Sequence, residues 1–300
     1  MNHPLSLAID CDPGLDDAVA IALAAAAPDL AIDLVTTVEG NAALEMVTAN
    51  AGSIIAALGH AAPVHGGHRA SRRDPARFST AIWGGDGSLA LAPAASPAAD
   101  DAVSALLRWL DRPLPGERML IALGPLSNIA RLLERRPGFG EALAGLVVMG
   151  GAIGRGNATP EAELNIWVDP EAAAAVFASA TPATIVPLDI TRQVIAGPDF
   201  STALHRSRRK PAALVASLMP MAGIDSHPAA IHDACVVGFL LWPELFRLEQ
   251  GTLAVITERG PREGRTLWTP DPQGPHRLAV ALDIDAFLGR MVQQLAGAEA

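Results

Sequence analysis

LSLAIDCDPGLDD, residues 5–17, joins a short apolar run to four carboxylates grouped around a Pro-Gly turn. The run Leu5–Ile9 is typical of a buried strand, and Asp16–Ala27 has the Ala- and Leu-rich composition of a helix. Four carboxylates this close repel one another when they leave water, so either their pKa values rise or a cation lies among them. The chain therefore opens with a strand, an acidic turn and a helix.

The same alternation of short apolar runs and helical segments continues downstream. Further strands are predicted at Ile32–Val38, Met119–Leu123, Leu146–Met149 and Thr184–Leu188, and further helices at Ala42–Leu58, Leu126–Glu134 and Pro170–Ala178. Strands that alternate with helices favour parallel pairing, with helices on both faces of the sheet. We therefore predict an α/β fold with a doubly wound, mostly parallel sheet. Since no linker or repeat interrupts the pattern, one domain is predicted over residues 1–300.

Two irregular stretches and the C-terminal part depart from this alternation. Residues 66–99 and 219–231 are rich in Gly, Pro and polar residues, which is typical of functional loops in a compact domain. The segments predicted beyond them are a helix at Ile231–Leu241, a hairpin of Leu253–Ile256 with Leu278–Leu282 flanking Gly260-Pro261, and a last helix at Ala286–Leu295.

Composition narrows the class of protein. Half of the 300 residues are hydrophobic and 18% are charged, which allows a large core and disfavours disorder. The net charge of −10 argues against a nucleic-acid partner. Cys11 and Cys235 are too few for a disulfide framework and are interpreted as buried thiols in a reducing cytoplasm. Neither a signal peptide nor a membrane span is predicted, so we expect a cytoplasmic protein without a membrane partner.

Polar residues and glycines follow the predicted strands where each strand ends. These segments are Asp12–Asp17, Glu39-Gly40-Asn41, Gly124-Pro125, Gly150-Gly151 and Asp189. In open α/β sheets, ligands bind outside the carboxyl ends of the strands. We therefore predict one shared cleft at this edge of the sheet.

The acidic run has two interpretations. Asp16 or Asp17 could simply complement the positive end of a helix, but this does not account for four carboxylates. A set of hard oxygen ligands, with no His or Cys pairs at zinc spacing, favours calcium or magnesium. The His232-Asp233 pair could supply a distant ligand and a group facing the substrate, although a capping Asp beside a surface His is more common.

The glycine-rich residues 150–165 carry a second candidate group. Glu163 and Asn165 would point the same way in an extended segment, which suits hydrogen bonds to adjacent sugar hydroxyls. For this segment alone, an ordinary surface loop is an equally good interpretation. The glycine spacing matches neither a dinucleotide-binding nor a P-loop motif, so phosphate binding is not predicted.

The other histidines carry less information. His205 and His276 are predicted at the surface or in loops, whereas His227 lies in the irregular stretch before His232 and could face the cleft. No Gly-x-Ser-x-Gly motif is present.

Together these motifs resemble the inosine-uridine-preferring nucleoside hydrolase family. The matching segments occur in family order and are Asp10–Ala18, Thr36–Asn41, Leu123–Asn128, Met149–Gly151, Asn157, Glu163–Asn165, Asp169–Ala172, Pro187–Asp189 and His232-Asp233. The resemblance implies calcium-dependent hydrolysis of the N-glycosidic bond of ribonucleosides (EC 3.2.2.-), in nucleoside salvage or catabolism. It also implies a homo-oligomer, a homodimer or a homotetramer.

The resemblance implies roles for individual residues. The calcium (Ca²⁺) ligands would be Asp12, Asp17, Asp233 and the backbone carbonyl of Leu123. A metal-bound water, deprotonated towards Asp12, would be the nucleophile, and His232 would assist departure of the base. The implied substrate contacts are Asp16, Asn41, Met149, Asn157, Glu163 and Asn165.

The chain departs from the family pattern on the base side. In Trp83-Gly84-Gly85-Asp86-Gly87, Trp83 stands where the family usually has histidine, and the chain contains no tyrosine. Trp83 and His227 are therefore candidate contacts to the base, and the sequence leaves the preferred base open.

Two other functions fit parts of the pattern. A haloacid-dehalogenase-like, magnesium-dependent phosphatase would use Asp10 as its nucleophile, but Pro13 replaces the expected Thr or Val, and Lys210 is the only lysine. A catalytically inactive nucleoside-binding protein would keep the sugar contacts and lose the catalytic groups, which are all present here.

Overall fold

The computed structural model describes residues 3–69, 87–92, 98, 101–114, 116–220, 223 and 227–297. The strands are β1 (Leu5–Cys11), β2 (Leu30–Thr37), β3 (Val64–Gly66), β4 (Arg118–Ala122), β5 (Gly145–Met149), β6 (Ala183–Val186), β7 (Ile195–Ala196), β8 (Ala229–Ala230), β9 (Phe246–Val255), β10 (Thr266–Pro270) and β11 (His276–Leu282). The helices are α1 (Leu15–Ala25), α2 (Leu44–Leu58), α3 (Ala102–Asp111), α4 (Ser127–Arg135), α5 (Leu164–Val168), α6 (Pro170–Phe177), α7 (Leu188–Thr191), α8 (Pro198–His205), α9 (Lys210–Leu218), α10 (Ala234–Leu241) and α11 (Ile284–Ala296).

Nine strands form the central sheet, in the order β10-β9-β11-β6-β5-β4-β1-β2-β3. The pairs from β3 across to β6, and from β6 to β11, are parallel, whereas β9 pairs antiparallel with β10 and β11. The predicted mostly parallel α/β sheet is therefore confirmed. Strand β1 lies between β2 and β4, where the strand order reverses, and such a switch point opens a crevice for a ligand.

Both faces of the sheet are covered by apolar side chains. Along β1, Leu7 and Ile9 pack into one hydrophobic cluster with α1, α9 and α10, whereas Ala8 packs into another with α3, α4 and α6. Because successive side chains of a strand point to opposite faces, β1 is apolar throughout Leu7–Ile9 rather than alternating. This double cover makes the sheet doubly wound, as predicted.

The observed elements follow the predicted ones closely in the N-terminal half. Helix α2 ends at Gly59, whose φ of 74° is the left-handed conformation that glycine adopts readily at a helix end. The predicted strand Thr184–Leu188 is too long at its end. Strand β6 stops at Val186, and Leu188 is the first residue of α7. Helices α3, α5, α7, α8 and α9 were not predicted, nor were the short strands β3, β7 and β8.

The C-terminal hairpin prediction is right that its two segments belong to antiparallel neighbours, β9 and β11, and wrong that the Gly260-Pro261 turn joins them. Strand β9 pairs across the Gly260-Pro261 turn with β10, which was not predicted, and β11 pairs with the other edge of β9. Strand β10 ends at Pro270 on the sheet edge, where the missing N–H of proline is tolerated, and this proline obscures the strand pattern.

His276 was also placed wrongly, because it is fully buried in β11 and not at the surface. Its Nε2 lies 2.8 Å from the carbonyl of Phe177, and its Nδ1 accepts a hydrogen bond from the Ala183 amide at 3.2 Å. Both ring nitrogens are thus used within the protein, and this histidine is structural.

None of the helices in the described ranges has the length and apolar composition of a bilayer span. The single domain over residues 1–300 stays a prediction, and so do the homo-oligomer and the cytoplasmic location.

Candidate active site

A pocket opens at the carboxyl ends of β1, β4 and β5, beside the start of α10. Its wall is formed by Asp16, Asn41, Leu123, Met149, Asn157, Glu163, Leu164, Asn165, Ala229, Ala230, His232 and Asp233. Residues from several distant segments of the chain therefore meet at the predicted edge of the sheet. Asp12 and Asp17 do not line this pocket, and they are fully buried beside it.

Three buried carboxylates form a compact acidic group. One oxygen from each of Asp16, Asp17 and Asp233 lies within 4.8 Å of the others. Asp16 and Asp17 lie in the first turn of α1, and Asp233 directly precedes α10. Oxygen atoms at this spacing could be bridged by one cation.

The turn before α1 holds Asp17 in place. Its Oδ2 accepts a hydrogen bond from the Gly14 amide at 2.9 Å, and its Oδ1 accepts one from the Asp12 amide at 3.3 Å. Asp16 differs, because its Oδ1 is buried and has no hydrogen-bond partner within the described part of the chain. Asp17 is thus fixed by the backbone, whereas Asp16 keeps a free oxygen beside the pocket.

The Asp12 carboxylate is enclosed by two glycines. Its Oδ2 accepts a hydrogen bond from the Asn41 amide at 2.7 Å, and the Asn41 side chain donates to the Asp12 carbonyl at 3.2 Å. The other oxygen, Oδ1, is buried without a partner among the described residues. A Cβ atom would lie 2.0 Å from Oδ2 at Gly40 and 2.6 Å from Oδ1 at Gly124. Only glycine leaves room for the carboxylate at these two positions.

Asp12 lies outside the compact acidic group but interacts with it electrostatically. Burial, followed by the charge of Asp17, raises the pKa of Asp12 well above its usual range. Burial and the neighbouring Asp16 likewise raise the pKa of Asp17 to about 8. The pKa of Asp233 is raised by burial and by Asp16, Asp17 and Asp12. In the absence of a counter-charge these groups favour their protonated forms, and a cation would reverse that preference.

The amide of Asn165 connects two of the strand ends. Its Nδ2 donates to the Leu123 carbonyl at 2.7 Å and to the Met149 carbonyl at 3.2 Å. A carbonyl oxygen has two lone pairs, so Leu123 keeps one for a further partner.

Glu163 has a structural role that the sequence did not indicate. Its Oε1 accepts from the Asn165 amide at 2.9 Å, and its Oε2 accepts from the amides of Gly151 at 3.0 Å and Ile166 at 3.2 Å. Glu163 is therefore the N-cap of α5, and the prediction of an extended segment through Asn165 was wrong. Both residues still line the pocket, because the cap and the first helical turn face it.

Asn157 and Asp189 stabilise neighbouring loops. The Asn157 Oδ1 accepts from the Leu164 amide at 2.9 Å, and this exposed side chain borders the pocket. Asp189 accepts from the amides of Ile153 at 2.7 Å and Gly154 at 2.8 Å and does not line the pocket.

His232 lies on the pocket wall with one ring nitrogen engaged. Its Nδ1 is 2.8 Å from Oγ1 of Thr191. Burial lowers the pKa of His232, while the charge of Asp16 acts in the opposite direction. The neutral ring is therefore favoured by burial and can donate one hydrogen bond into the pocket.

Of the two predicted base contacts, only His227 belongs to the described residues. His227 is exposed and does not form part of the wall. Trp83 lies outside the described residues.

Asp10 does not have the surroundings of a nucleophile. It is fully buried, and its Oδ1 accepts from Thr36 Oγ1 at 2.6 Å and from Asn128 Nδ2 at 2.7 Å. Burial raises the pKa of Asp10 to about 7. Because it does not line the pocket, the phosphatase interpretation loses its catalytic group.

Three supporting residues were missed by sequence reasoning. Asn128 joins Asp10 to the carbonyl of Thr37 at 2.9 Å, and Asn50 donates to the carbonyl of Pro13 at 2.9 Å. Thr191 contacts His232. The sequence offered one signal for Asn50, which is a polar residue among the apolar positions of a helix. This signal indicates a buried hydrogen bond but does not identify the partner of Asn50.

We expect Gly40→Ala to lower kcat by about 100-fold, because the added methyl group must displace the Asp12 carboxylate. Steady-state kinetics on a nucleoside, the substrate class that the sequence resemblance implies, would measure the loss. Gly289→Ala in α11 is the matched control, since its Cβ meets nothing within 4 Å, and it should leave kcat unchanged. Equal activity of the two variants would contradict the crowding of Asp12.

Comparison with known proteins gives a consistent result. A family model described as inosine-uridine preferring nucleoside hydrolase matches residues 7–289. A non-specific ribonucleoside hydrolase, RihC, of Escherichia coli (strain SMS-3-5 / SECEC) is 36% identical and covers 94% of each chain. RihC of Salmonella agona (strain SL483) is 36% identical over 96% of each chain.

Solved structures agree with these relatives. A plant nucleoside hydrolase, the PpNRh1 enzyme, is 29% identical with a TM-score of 0.87, covering 98% of this chain and 99% of that chain. A purine-preferring ribonucleoside hydrolase from Gardnerella vaginalis is 26% identical with a TM-score of 0.88, covering 97% and 98%.

Proposed function

Since the chain belongs to the inosine-uridine preferring nucleoside hydrolase family and is a ribonucleoside hydrolase that cleaves the N-glycosidic bond, we propose that a calcium ion at its buried acidic group serves this reaction. The observation that carries this proposal is the buried group of Asp16, Asp17 and Asp233, in which one oxygen of each carboxylate lies within 4.8 Å of the others.

The donor atoms fit a hard divalent cation. We propose Asp12, Asp17, Asp233 and the carbonyl of Leu123 as its ligands, all of which offer oxygen. Two features support the fit: the buried Oδ1 of Asp12 has no partner within the described ranges, and Leu123 retains a free lone pair. Calcium is preferred over magnesium, because it accepts more oxygen ligands in a less regular geometry and leaves room for substrate hydroxyls.

The ribose is proposed to bind along the polar wall of the pocket. Its contacts would be Asp16, Asn41, Met149, Asn157, Glu163 and Asn165, of which all line the pocket. The buried, unpartnered Oδ1 of Asp16 is a ready acceptor for a ribose hydroxyl. The carboxylates around it would also stabilise the positive charge that develops on the sugar.

Two residues of this chain, Asp12 and His232, are proposed to carry out the proton transfers. When bound, the divalent cation orients the ribose diol and makes a nearby water more acidic. The oxygen of the water forms a bond to C1′, and Asp12 accepts the proton that the water loses. The electron pair of the breaking C1′–N bond goes to the base nitrogen, and the imidazolium form of His232 donates a proton to it. Asp12 and His232 thus act on opposite ends of the reacting bond.

We also propose a broad choice of base, a homo-oligomer (homodimer or homotetramer) and a cytoplasmic role in nucleoside salvage or catabolism. The two RihC relatives are named non-specific, which supports a choice that includes purines and pyrimidines. The buried free thiols of Cys11 and Cys235 suit a reducing compartment.

The test is an assay of free ribose released from purine and pyrimidine nucleosides, with and without a calcium chelator. We expect release from both classes, loss of release with the chelator, and recovery when calcium is restored. Unchanged release after complete chelation would overturn the calcium proposal.

A further inference from the structure

Thr191 contacts the pocket residue His232, and it belongs neither to the acidic group nor to the proposed ribose contacts. Its hydroxyl oxygen lies 2.8 Å from Nδ1 of His232, and Thr191 is itself fully buried. The two residues are 41 positions apart in the chain and belong to separate elements. A buried hydroxyl placed on one nitrogen of a pocket histidine fixes which nitrogen faces the pocket.

The backbone around this contact is held from both sides. Thr191 ends α7, and its amide donates to the Pro187 carbonyl at 3.1 Å. The segment after it pairs with the segment before His232: the Ile231 amide donates to the Val194 carbonyl at 2.9 Å, and Ile195 is opposite Ala230 in the β7–β8 ladder. This short ladder sets the distance between the threonine and the histidine.

We propose that Thr191 is a positioning residue for departure of the base: its hydroxyl holds His232 by Nδ1 and so directs Nε2 towards the leaving group. This inference rests on the proposed role of His232. A threonine hydroxyl can donate to a neutral Nδ1 or accept from a protonated one, so it holds the ring in either state. Valine has nearly the same shape and can do neither.

The chemistry balances around this contact. The electron pair of the C1′–N bond moves to the base nitrogen, which takes a proton from Nε2 of the imidazolium form of His232 and leaves the ring neutral. The attacking water gives its oxygen to C1′ and a proton to Asp12, and exchange with solvent restores both residues. Thr191 itself loses and gains nothing, and it acts only through the orientation of the ring.

Kinetics of Thr191→Val on two kinds of substrate test the proposal. On nucleosides, kcat should fall by about 10- to 100-fold with KM nearly unchanged, as when the partner that orients a functional histidine is removed. On p-nitrophenyl ribofuranoside, kcat should change less than about twofold, since p-nitrophenolate leaves without taking a proton. Thr191→Ser, which keeps the hydroxyl, should restore most of the activity on nucleosides.

Three further variants separate the explanations. Thr184→Val makes the same change at another buried threonine, in the body of β6, and should leave the ratio of the two substrates unaltered. Thr191→Ala replaces Thr191→Val if the latter does not fold. His232→Ala should also spare p-nitrophenyl ribofuranoside. If it does not, the proposed role of His232 fails. The other outcome concerns Thr191 alone. If His232→Ala keeps its activity on p-nitrophenyl ribofuranoside, but the Thr191 variants lower kcat equally for both substrates or for neither substrate, only the role of Thr191 is overturned.

Discussion

Asp12→Ala is expected to lower kcat for nucleoside hydrolysis by about 1,000-fold or more, because it removes both the proton acceptor and a proposed cation ligand. The structure gives this side chain one fixed and one free oxygen: the Asn41 amide holds Oδ2, and Oδ1 has no partner within the described part of the chain. Release of ribose, followed with purified protein at saturating calcium, measures the effect.

The stability of this variant separates catalysis from folding. Burial and the charge of Asp17 disfavour the ionised form of Asp12, so its removal relieves a cost in the metal-free protein. We therefore expect the metal-free Asp12→Ala protein to melt at or above the temperature of the original protein. Asp169→Asn is the matched control, since Asp169 is a buried carboxylate that caps α6 away from the pocket, and it should keep kcat. Turnover by Asp12→Ala at the original rate would refute the assigned role.

The first strand, turn and helix could be predicted because their signals are local. An apolar run ends at the acidic turn, and Gly14 begins α1 as its N-cap residue. Gly59 similarly marks the end of α2. Such signals depend only on neighbours in the chain, so they survive without knowledge of the packing.

The elements that were missed depend on contacts between distant parts of the chain. Strand β10 acquires its place only by pairing with β9. Its last four residues, which include Leu267 and Trp268, are exposed or half-buried and do not show the alternation of a half-buried strand. Helices α8 and α9 are separated by residues 206–209, three of which are arginines, and this basic segment interrupts the apolar period.

The site shows the same division. The acidic residues and His232 could be selected by type and spacing, since chemistry demands those groups. The contact of Thr191 with His232 spans 41 positions and has no local pattern. Glu163 was selected for a sugar contact, and its three hydrogen bonds to backbone amides became visible only with the fold.

Calcium should stabilise the protein much more at pH 8 than at pH 5. In the metal-free protein the pKa of Asp17 is raised from 3.8 to about 8 by burial and by Asp16. A raised carboxylate pKa gives stability that is present below pH 4 and is lost as the pH rises to about 8, by about 1.4 kcal/mol per pH unit for each such group. Bound calcium removes this loss, because it stabilises the ionised carboxylates. Calcium must displace protons from these groups at pH 5, and it displaces far fewer at pH 8.

The measurement is the thermal midpoint with calcium and with a chelator at each pH, since other titrating groups cancel in the difference. The gap between the two midpoints should widen from pH 5 to pH 8. Asp17→Asn provides the control: it lacks the titrating carboxylate, so its gap should be small at both values. A gap that is constant or narrows with pH would show that calcium does not bind among these buried carboxylates, because a cation held there must compete with their protons.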